Sequence, residues 1–211
     1  MENVKETVIQ LFPKAVYLST YEKDISKETE FIENIEYTNR TGDDLAINTR
    51  SVDTYIIRCK ELENINTFCQ NQINHYQKEI MKSSNKLVIT QSWINKNIKG
   101  KYHHKHSHAN SILSGVFYFK SNNTAPIIFA KKPQVLELNY HSSNDYNCNS
   151  YVLLTEPRQL VIFPSTMLHY VPENCEEETR FSLSFNTFAV DMGREEGLTH
   201  LSIKDVNDQN I

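Results

Sequence analysis

The chain has 211 residues, with 22 Lys and Arg against 26 Asp and Glu and a formal net charge of -4. This length is enough for one domain with a sizeable core, and the charge balance provides no basic surface for a nucleic acid. The longest apolar runs, such as 160–163, are far too short to cross a bilayer. We therefore expect a single domain over residues 1–211 that binds neither nucleic acid nor membrane.

The cysteines and the first residues bear on the cellular compartment. Cys59, Cys69, Cys148 and Cys175 form no Cys-x-x-Cys pair, and Met1 opens no charged and then apolar leader. In a chain of this size without a leader, scattered cysteines are typical of reduced thiols rather than of a disulfide framework. The sequence therefore predicts a cytoplasmic protein, and it leaves the oligomeric state open.

The first part of the chain predicts one strand and a helical support. The segment Leu11–Tyr17 is typical of a first strand. Residues 20–50 are polar, with a turn signal at Thr41–Asp44, and predict a short helix and a loop. Over residues 60–82, apolar side chains recur at the three- and four-residue steps of an amphipathic helix. These side chains are Leu62, Ile65, Cys69, Ile73, Tyr76 and Ile80. Helical support is thus expected over about residues 20–82.

From residue 86 onward, short runs rich in β-branched and aromatic residues follow one another. The runs are 87–90, 112–119, 127–130, 151–154, 160–163 and 181–188. Turn-forming residues separate them, as expected for short strands. The sequence therefore predicts a mainly β fold with flanking helices, with a jelly-roll core over about residues 86–190.

A His-x-His pair is the first candidate for metal binding. Residues i and i+2 of a strand share a face, so His106 and His108 can point into one cavity. Neutral imidazoles suit first-row metals such as iron and zinc. His104 has the same parity, so a pair of His104 and His106 is the alternative. Taken alone, either pair is also compatible with a histidine-rich surface.

A third histidine follows a strand and a turn that begins at a proline. Phe163 ends the apolar run, Pro164 initiates the turn, and His169 opens the next predicted strand. Such a turn can bring His169 back over the cavity that holds the first pair. The alternative is a histidine that is only hydrogen-bonded at a strand end.

The segment 180–186 has a clear period of two. Its odd-numbered residues, beginning with Phe181, are apolar, whereas Arg180, Ser182 and the residues that follow at two-residue steps are polar. Polar residues on the inner face of a buried strand are costly unless a ligand satisfies them. A guanidinium can bind a carboxylate through two hydrogen bonds, and Ser182 can add a hydroxyl. The alternative is an exposed edge strand with a solvated Arg180.

These motifs together resemble a known family. The segments 106–118 (HSHANSILSGVFY), 163–165 with His169, and 180–186 (RFSLSFN) closely resemble 2-oxoglutarate/Fe(II)-dependent oxygenases of bacteria and tailed phages. That family is related to the prolyl-hydroxylase-like enzymes with a double-stranded β-helix. The resemblance covers residues 93–188, and before them only the opening Leu11–Pro13 is similar.

The resemblance implies a double-stranded β-helix that holds Fe(II) through His106, His108 and His169. It departs from the wider superfamily at His108, where an Asp or Glu ligand is usual. Three neutral imidazoles leave a higher net charge on the ion, which alters its affinity and redox behaviour.

The implied cosubstrates are 2-oxoglutarate and O₂. The far carboxylate of 2-oxoglutarate would meet Arg180, with Ser182 beside it and with Tyr118 at the place of a tyrosine that contacts this group in prolyl-hydroxylase relatives. The implied reaction hydroxylates a small-molecule or peptidyl substrate and releases succinate and CO₂, and no acid–base side chain is implied. We expect the polar segment 20–50 and the loop 141–150 to recognise the substrate.

Two other functions compete with this interpretation. A cupin-type metalloprotein that does not use 2-oxoglutarate has a similar spacing around His106, but Ile112 and Leu113 stand where its glutamate ligand is expected. It also gives no reason for Arg180. The other competitor is a non-catalytic jelly-roll binding module with scattered histidines. Trp93 is either a core residue or part of the cavity entrance.

Overall fold

The computed structural model describes residues 5–39, 47–132 and 138–202. The strands within these ranges are β1 (Tyr17–Thr20), β2 (Tyr37–Thr38), β3 (Thr49–Ser51), β4 (Leu87–Asn97), β5 (His103–His106), β6 (Leu113–Lys120), β7 (Ile127–Ala130), β8 (Ser150–Leu153), β9 (Gln159–Pro164), β10 (Leu168–Val171), β11 (Arg180–Ala189), β12 (Asp191–Met192) and β13 (Leu201–Ser202). The helices are α1 (Ser26–Asn34) and α2 (Glu63–His75), with 3-10 turns at Ile56–Arg58 and Lys60–Leu62 and a π-helical turn at Tyr76–Ile80.

The described strands form two main antiparallel sheets. The larger sheet has the order β1-β9-β6-β11-β4-β3-β2, and the smaller has the order β5-β10-β7-β8. Strands β12 and β13 form a separate ribbon. An apolar cluster joins the inner faces of the two sheets, made by Val116, Tyr118, Ile127, Phe129, Val161 and Phe163. This two-layer arrangement confirms the mainly β, jelly-roll prediction.

The larger core lies between the helices and the outer face of the seven-stranded sheet. The predicted helical stripe supplies it, because Leu62, Ile65, Cys69 and Ile73 are fully buried. Ile80 is 40% exposed and was wrongly placed in this stripe. The backbone there bonds over five residues, from the amide of Met81 to the carbonyl of Tyr76, and this wider turn rotates Ile80 away from the sheet. Among the described residues, no helix has the length and apolarity needed to span a membrane.

The N-terminal strand begins later than the sequence predicts. The segment Leu11–Tyr17 was expected as a strand, but Leu11 and Phe12 are 72% and 92% exposed and only Tyr17 enters β1. Apolar residues form a strand only where a neighbouring strand is available for pairing. Here the pairing with β9 begins at Tyr17.

Part of the region predicted as helical support forms strands of the larger sheet. Besides α1 and α2, this region contributes β2 and β3, and β3 pairs with β4. The predicted turn at Thr41–Asp44 lies outside the described residues, and the extent of one domain over 1–211 stays a prediction.

Gly115 marks a close approach between two central strands. It lies opposite Phe185 in the pairing of β6 with β11, and an added Cβ would lie 2.1 Å from Cζ of Phe185. Because Phe185 is fully buried, its ring has little room to move. We expect Gly115→Ala to lower the free energy of unfolding by about 2 kcal/mol, measured by urea denaturation. The control is Gly197→Ala, whose added Cβ has no neighbour closer than 3.6 Å. Equal stability of the two variants would contradict this packing.

Candidate metal and anion site

Two neighbouring strands bring the three candidate histidines together. His106 ends β5, and His169 lies directly opposite it in the antiparallel strand β10. His108 follows β5 by two residues, where its amide donates a hydrogen bond to the carbonyl of Ser165 at 2.9 Å. That bond ties the segment after β5 to the turn between β9 and β10. The Pro-initiated turn therefore brings His169 back to the first pair, as the sequence predicted.

The nitrogen atoms of these histidines have the spacing of a metal site. One ring nitrogen from each of His106, His108 and His169 lies within 4.8 Å of the others. Nε2 of His108 and Nε2 of His169 are 3.3 Å apart. Two imidazoles bound to one ion at about 2.1 Å place their nitrogens about 3 Å apart when they occupy adjacent positions. The donor set fits a first-row divalent metal, and these three residues could hold iron.

Backbone carbonyls fix the protonation of two of the rings. Nδ1 of His106 lies 2.8 Å from the carbonyl oxygen of His104, and Nδ1 of His169 lies 3.0 Å from that of Met167. A carbonyl oxygen only accepts, so each Nδ1 carries the hydrogen and each Nε2 keeps its lone pair. This contact to the ring nitrogen opposite the metal is typical of metal-binding histidines.

Burial favours the neutral form of His169. Its side chain is only 6% exposed, and this desolvation lowers its pKa below the usual value, although the hydrogen bond to Met167 acts in the opposite direction. A lowered pKa keeps the imidazole unprotonated at neutral pH. That is the form in which histidine binds a metal.

His104 is not a member of the three-histidine group among the described residues. It is exposed, and its backbone carbonyl accepts the hydrogen bond that orients His106. The ring of His103 lines the cavity instead. This arrangement favours His106 and His108 over the alternative pair that includes His104.

A serine cluster connects the two histidine segments. Oγ of the fully buried Ser165 lies 2.8 Å from Oγ of Ser114 and donates to Oγ of Ser111 at 2.7 Å. The carbonyl of the same Ser165 binds the amide of His108. These serines were not predicted from the sequence, because small polar residues in turns carry no distinctive pattern.

Removing the Ser165 hydroxyl tests whether this cluster holds the metal site together. Ser165→Ala removes one hydrogen bond from Ser111 and one from Ser114, although each keeps another partner. We expect the loss of these two bonds to lower the unfolding free energy by about 1–2 kcal/mol. The Ser165 side chain anchors the turn whose carbonyl binds the amide of His108. Because this anchor is lost, we also expect about tenfold weaker binding of Mn(II) in calorimetry. The exposed serine variant Ser142→Ala serves as control. Lower stability with unchanged metal affinity would mean that the cluster supports only the fold.

Strand β11 presents the two faces that its sequence predicts. Phe181, Leu183 and Phe185 pack in the helix-side core. Arg180 and Ser182 face the cavity between the sheets, together with Ser184. The alternative of an exposed edge strand is wrong, because β11 lies between β4 and β6 in the middle of the larger sheet.

Arg180 is a buried cation without a carboxylate. Its side chain is 4% exposed, Nη1 donates to Oγ of Ser182 at 3.1 Å, and Nε has no hydrogen-bond partner. No acidic side chain of the described ranges forms an ion pair with it. An uncompensated buried charge costs several kcal/mol, so its environment favours an anionic ligand.

Tyr118, the tyrosine expected near the far carboxylate, packs against the Arg180 guanidinium. The Arg180 carbon Cζ is 4.9 Å from the centre of the Tyr118 ring, a cation–π distance. The Tyr118 side chain is fully buried, and its hydroxyl has no hydrogen-bond partner. Burial raises the pKa of Tyr118 above its usual value, so it remains a neutral phenol.

The histidines and Arg180 line one narrow cavity between the sheets, with about 20 Å³ of free space, enough for about one water molecule. The other lining residues include Trp93, Asn95, Ser114, Val116, Ile127, Phe163, Val171 and Ser184. Trp93 is both buried and part of this wall, at 8% exposure. Asn95 was not predicted as a site residue. It lies two residues after Trp93 on β4, so it shares the face that lines the cavity.

One family model matches part of this chain. Residues 91–186 match the sequence model of the family described as "Putative 2OG-Fe(II) oxygenase". No protein of curated function matches the chain significantly.

Three solved structures share the fold at low sequence identity. The epimerase SnoN from nogalamycin biosynthesis, described as non-heme and alpha-ketoglutarate dependent, has a TM-score of 0.63 at 9% identity over 84% of this chain and 80% of its own. HygX from Streptomyces hygroscopicus, with nickel and 2-oxoglutarate bound, has a TM-score of 0.59 at 6% identity over 82% of each chain. A Pseudomonas putida prolyl-4-hydroxylase has a TM-score of 0.55 at 9% identity over 82% of this chain and 92% of its own.

These structures confirm the double-stranded β-helix that the sequence resemblance implied. The segment that carries the three histidines and Arg180 matches the sequence model of the 2OG-Fe(II) oxygenase family, and the chain shares the fold of these solved structures.

Proposed function

We propose that this protein is a 2-oxoglutarate- and Fe(II)-dependent dioxygenase that hydroxylates a small-molecule or peptidyl substrate. One observation carries the proposal: a buried Arg180 without a carboxylate partner shares a cavity with three histidines at metal-binding distances. A metal site alone does not need a buried cation nearby. A diacid that reaches from the metal to a guanidinium needs both.

The residues have separate roles in this proposal. His106, His108 and His169 hold the iron, and Arg180 with Ser182 binds the far carboxylate of 2-oxoglutarate. When bound, iron and 2-oxoglutarate supply the oxidation: one atom of O₂ enters succinate as CO₂ leaves, and the other enters the hydroxylated product. Because the cavity is narrow, the diacid enters only as lining side chains rotate.

The remaining side chains orient and shield rather than transfer protons. The Tyr118 ring supports the Arg180 guanidinium from one side. Phe129 and Phe163 pack edge to face at 5.0 Å, and Phe163 lies 4.8 Å from the ring of His169. This apolar wall shields the buried His169 from water, which strengthens electrostatic interactions at that side of the cavity.

Each of the two competing functions leaves some of the site residues unexplained. A cupin-type metalloprotein accounts for the histidines but leaves the buried Arg180 without a purpose. A non-catalytic module accounts for neither the converging ring nitrogens of the three histidines nor the hydrogen bonds that fix two of the tautomers. The proposed oxygenase accounts for both sets of residues.

Turnover of the cosubstrate tests the proposal. The purified protein with Fe(II), ascorbate, 2-oxoglutarate and air is expected to release succinate slowly even without its substrate. An accompanying loss of 2-oxoglutarate should match the succinate formed. Binding of iron without any succinate formation or 2-oxoglutarate binding would favour the cupin-type function.

Hydroxylation needs a separate test, because SnoN shares this fold and is described as an epimerase. The protein is incubated with a small-molecule extract or a peptide library under ¹⁸O₂. A hydroxylase transfers one labelled oxygen atom to its product, which mass spectrometry detects. A product that forms with 2-oxoglutarate consumption but carries no label would contradict hydroxylation while keeping the oxygenase chemistry.

A further inference from the structure

The cavity wall formed by β4 and β11 contains hydrogen-bond donors that no described residue satisfies. Nε1 of Trp93 is buried without an acceptor, and so is Nε of Arg180. An indole N–H can only donate, so its burial beside a cavity points to an acceptor that belongs to a ligand.

A chain of amides makes Ser184 a further donor. The amide nitrogen of Asn48 donates to the carbonyl of Thr49 at 3.3 Å and to Oδ1 of Asn95 at 3.0 Å. Because a carbonyl only accepts, the bond to Thr49 fixes which end of the Asn48 amide faces Asn95. Nδ2 of Asn95 then donates to Oγ of Ser184 at 2.8 Å. The Ser184 hydroxyl hydrogen is thus left to donate into the cavity that it lines.

The Trp93 and Ser184 donors lie at the metal end of the cavity. Ser184 is directly opposite Trp93 in the pairing of β11 with β4. The Trp93 ring centre is 6.0 Å from that of His108. The Arg180 guanidinium instead donates to Ser182, which lies two residues before Ser184 on β11. Arg180 therefore lies at the other end of the cavity.

The spacing of the two donor groups fits the length of a five-carbon diacid. Two residues along a strand place Ser182 and Ser184 about 7 Å apart. The terminal carbons of an extended five-carbon chain are about 5 Å apart, and each carboxylate oxygen extends this reach. One carboxylate can therefore lie at Ser182 while the other lies at Ser184.

We propose that Trp93 and Ser184 donate hydrogen bonds to the carboxylate of 2-oxoglutarate that lies beside the metal, opposite the carboxylate that Arg180 binds. This inference rests on the proposed function. Both residues are binding residues, and Asn48 and Asn95 are positioning residues that keep the Ser184 hydroxyl directed at the cosubstrate. The cavity then holds both ends of the diacid through donors on two adjacent strands.

Calorimetry on the full-length protein loaded with Mn(II) under nitrogen tests this assignment without turnover. Trp93→Phe removes the N–H and keeps an aromatic ring, and Ser184→Ala removes only a hydroxyl. Each variant is expected to bind 2-oxoglutarate about tenfold more weakly than wild type, with unchanged affinity for Mn(II). Trp93 is the only tryptophan, so its fluorescence should also change when wild type or Ser184→Ala binds 2-oxoglutarate.

A second ligand locates the interaction. 2-Oxopentanoate keeps the keto-acid end and lacks the far carboxylate, so Trp93→Phe should weaken its binding by the same factor as that of 2-oxoglutarate. An effect confined to 2-oxoglutarate would place the indole at the far carboxylate and overturn the assignment. The control is Tyr76→Phe, which loses a hydroxyl bound to the Ala15 carbonyl in the helix-side core.

The outcomes separate this inference from the proposed function. If wild type binds 2-oxoglutarate and both Trp93→Phe and Ser184→Ala bind it equally tightly, the inference is wrong and the oxygenase proposal stands. If Mn(II)-loaded wild type does not bind 2-oxoglutarate, both fall. Ser184→Ala leaves no aromatic void, so it provides the decisive result if Trp93→Phe folds poorly.

Discussion

Replacing His169 by alanine is expected to weaken binding of Mn(II) or Fe(II) by at least about 100-fold. Loss of a residue that only supports a ligand already costs about 10- to 100-fold in metal affinity, and loss of a ligand costs more. His169 is the buried member of the group, with Nδ1 hydrogen-bonded and Nε2 directed at His108. Anaerobic calorimetry with Mn(II) measures the change.

His104→Ala is the matched control for this variant. His104 is exposed and lies in the same histidine-rich segment, outside the three-histidine group of the described residues. Its substitution keeps the backbone carbonyl that orients His106, so metal affinity should stay within about twofold of wild type. A large loss in His104→Ala with little change in His169→Ala would favour the alternative ligand pair of His104 and His106.

Arg180→Met should have opposite effects on stability and on cosubstrate binding. Without a ligand the variant loses an uncompensated buried cation, so its free energy of unfolding should rise by about 1–2 kcal/mol, even after loss of the contact with Tyr118. With the metal bound, its affinity for 2-oxoglutarate should fall by about 100- to 1000-fold, because one partner of a buried ion pair is missing. Urea denaturation and calorimetry measure the two quantities.

The exposed Arg58→Met is the control for Arg180→Met. Arg58 contacts the ring of Tyr55 on the surface and should leave 2-oxoglutarate affinity unchanged. If Arg180→Met lowers stability and binds 2-oxoglutarate as wild type does, the guanidinium has a structural role only.

Local sequence patterns predicted the main features of the site. The step of two residues in a strand is sufficient to separate Phe181 from Arg180, because alternate side chains point to opposite faces. The turn that begins at Pro164 predicted the return of His169 toward His106. The same alternation limited the candidates on β11 to the polar face.

Other features depend on contacts that the sequence does not encode locally. The hydrogen bonds from Asn48 to Asn95 and from Asn95 to Ser184 run from the residue before β3 to β4 and then to β11. No single segment shows this polar row, because its members come from strands far apart in the chain. The start of β1 likewise depends on where β9 can pair with it, whereas the apolar residues from Leu11 onward remain exposed.

The histidine at position 108 has a consequence for the metal. An Asp or Glu ligand would neutralise part of the ion's charge, whereas three imidazoles leave the full charge of a divalent ion. Bound anions must therefore supply the negative charge that balances the ion. For this reason a dianionic keto acid should bind more tightly when the metal is present. We therefore expect metal and 2-oxoglutarate to strengthen each other's binding.

The most direct measurement is an anaerobic titration of the Fe(II)-loaded protein with 2-oxoglutarate, followed by visible absorption. A keto acid chelated to ferrous iron gives a charge-transfer band, which we expect to appear and saturate in wild type. The band should be absent in His169→Ala and should need much more 2-oxoglutarate in Arg180→Met. A wild-type protein that binds Fe(II) and develops no band at saturating 2-oxoglutarate would contradict the oxygenase function.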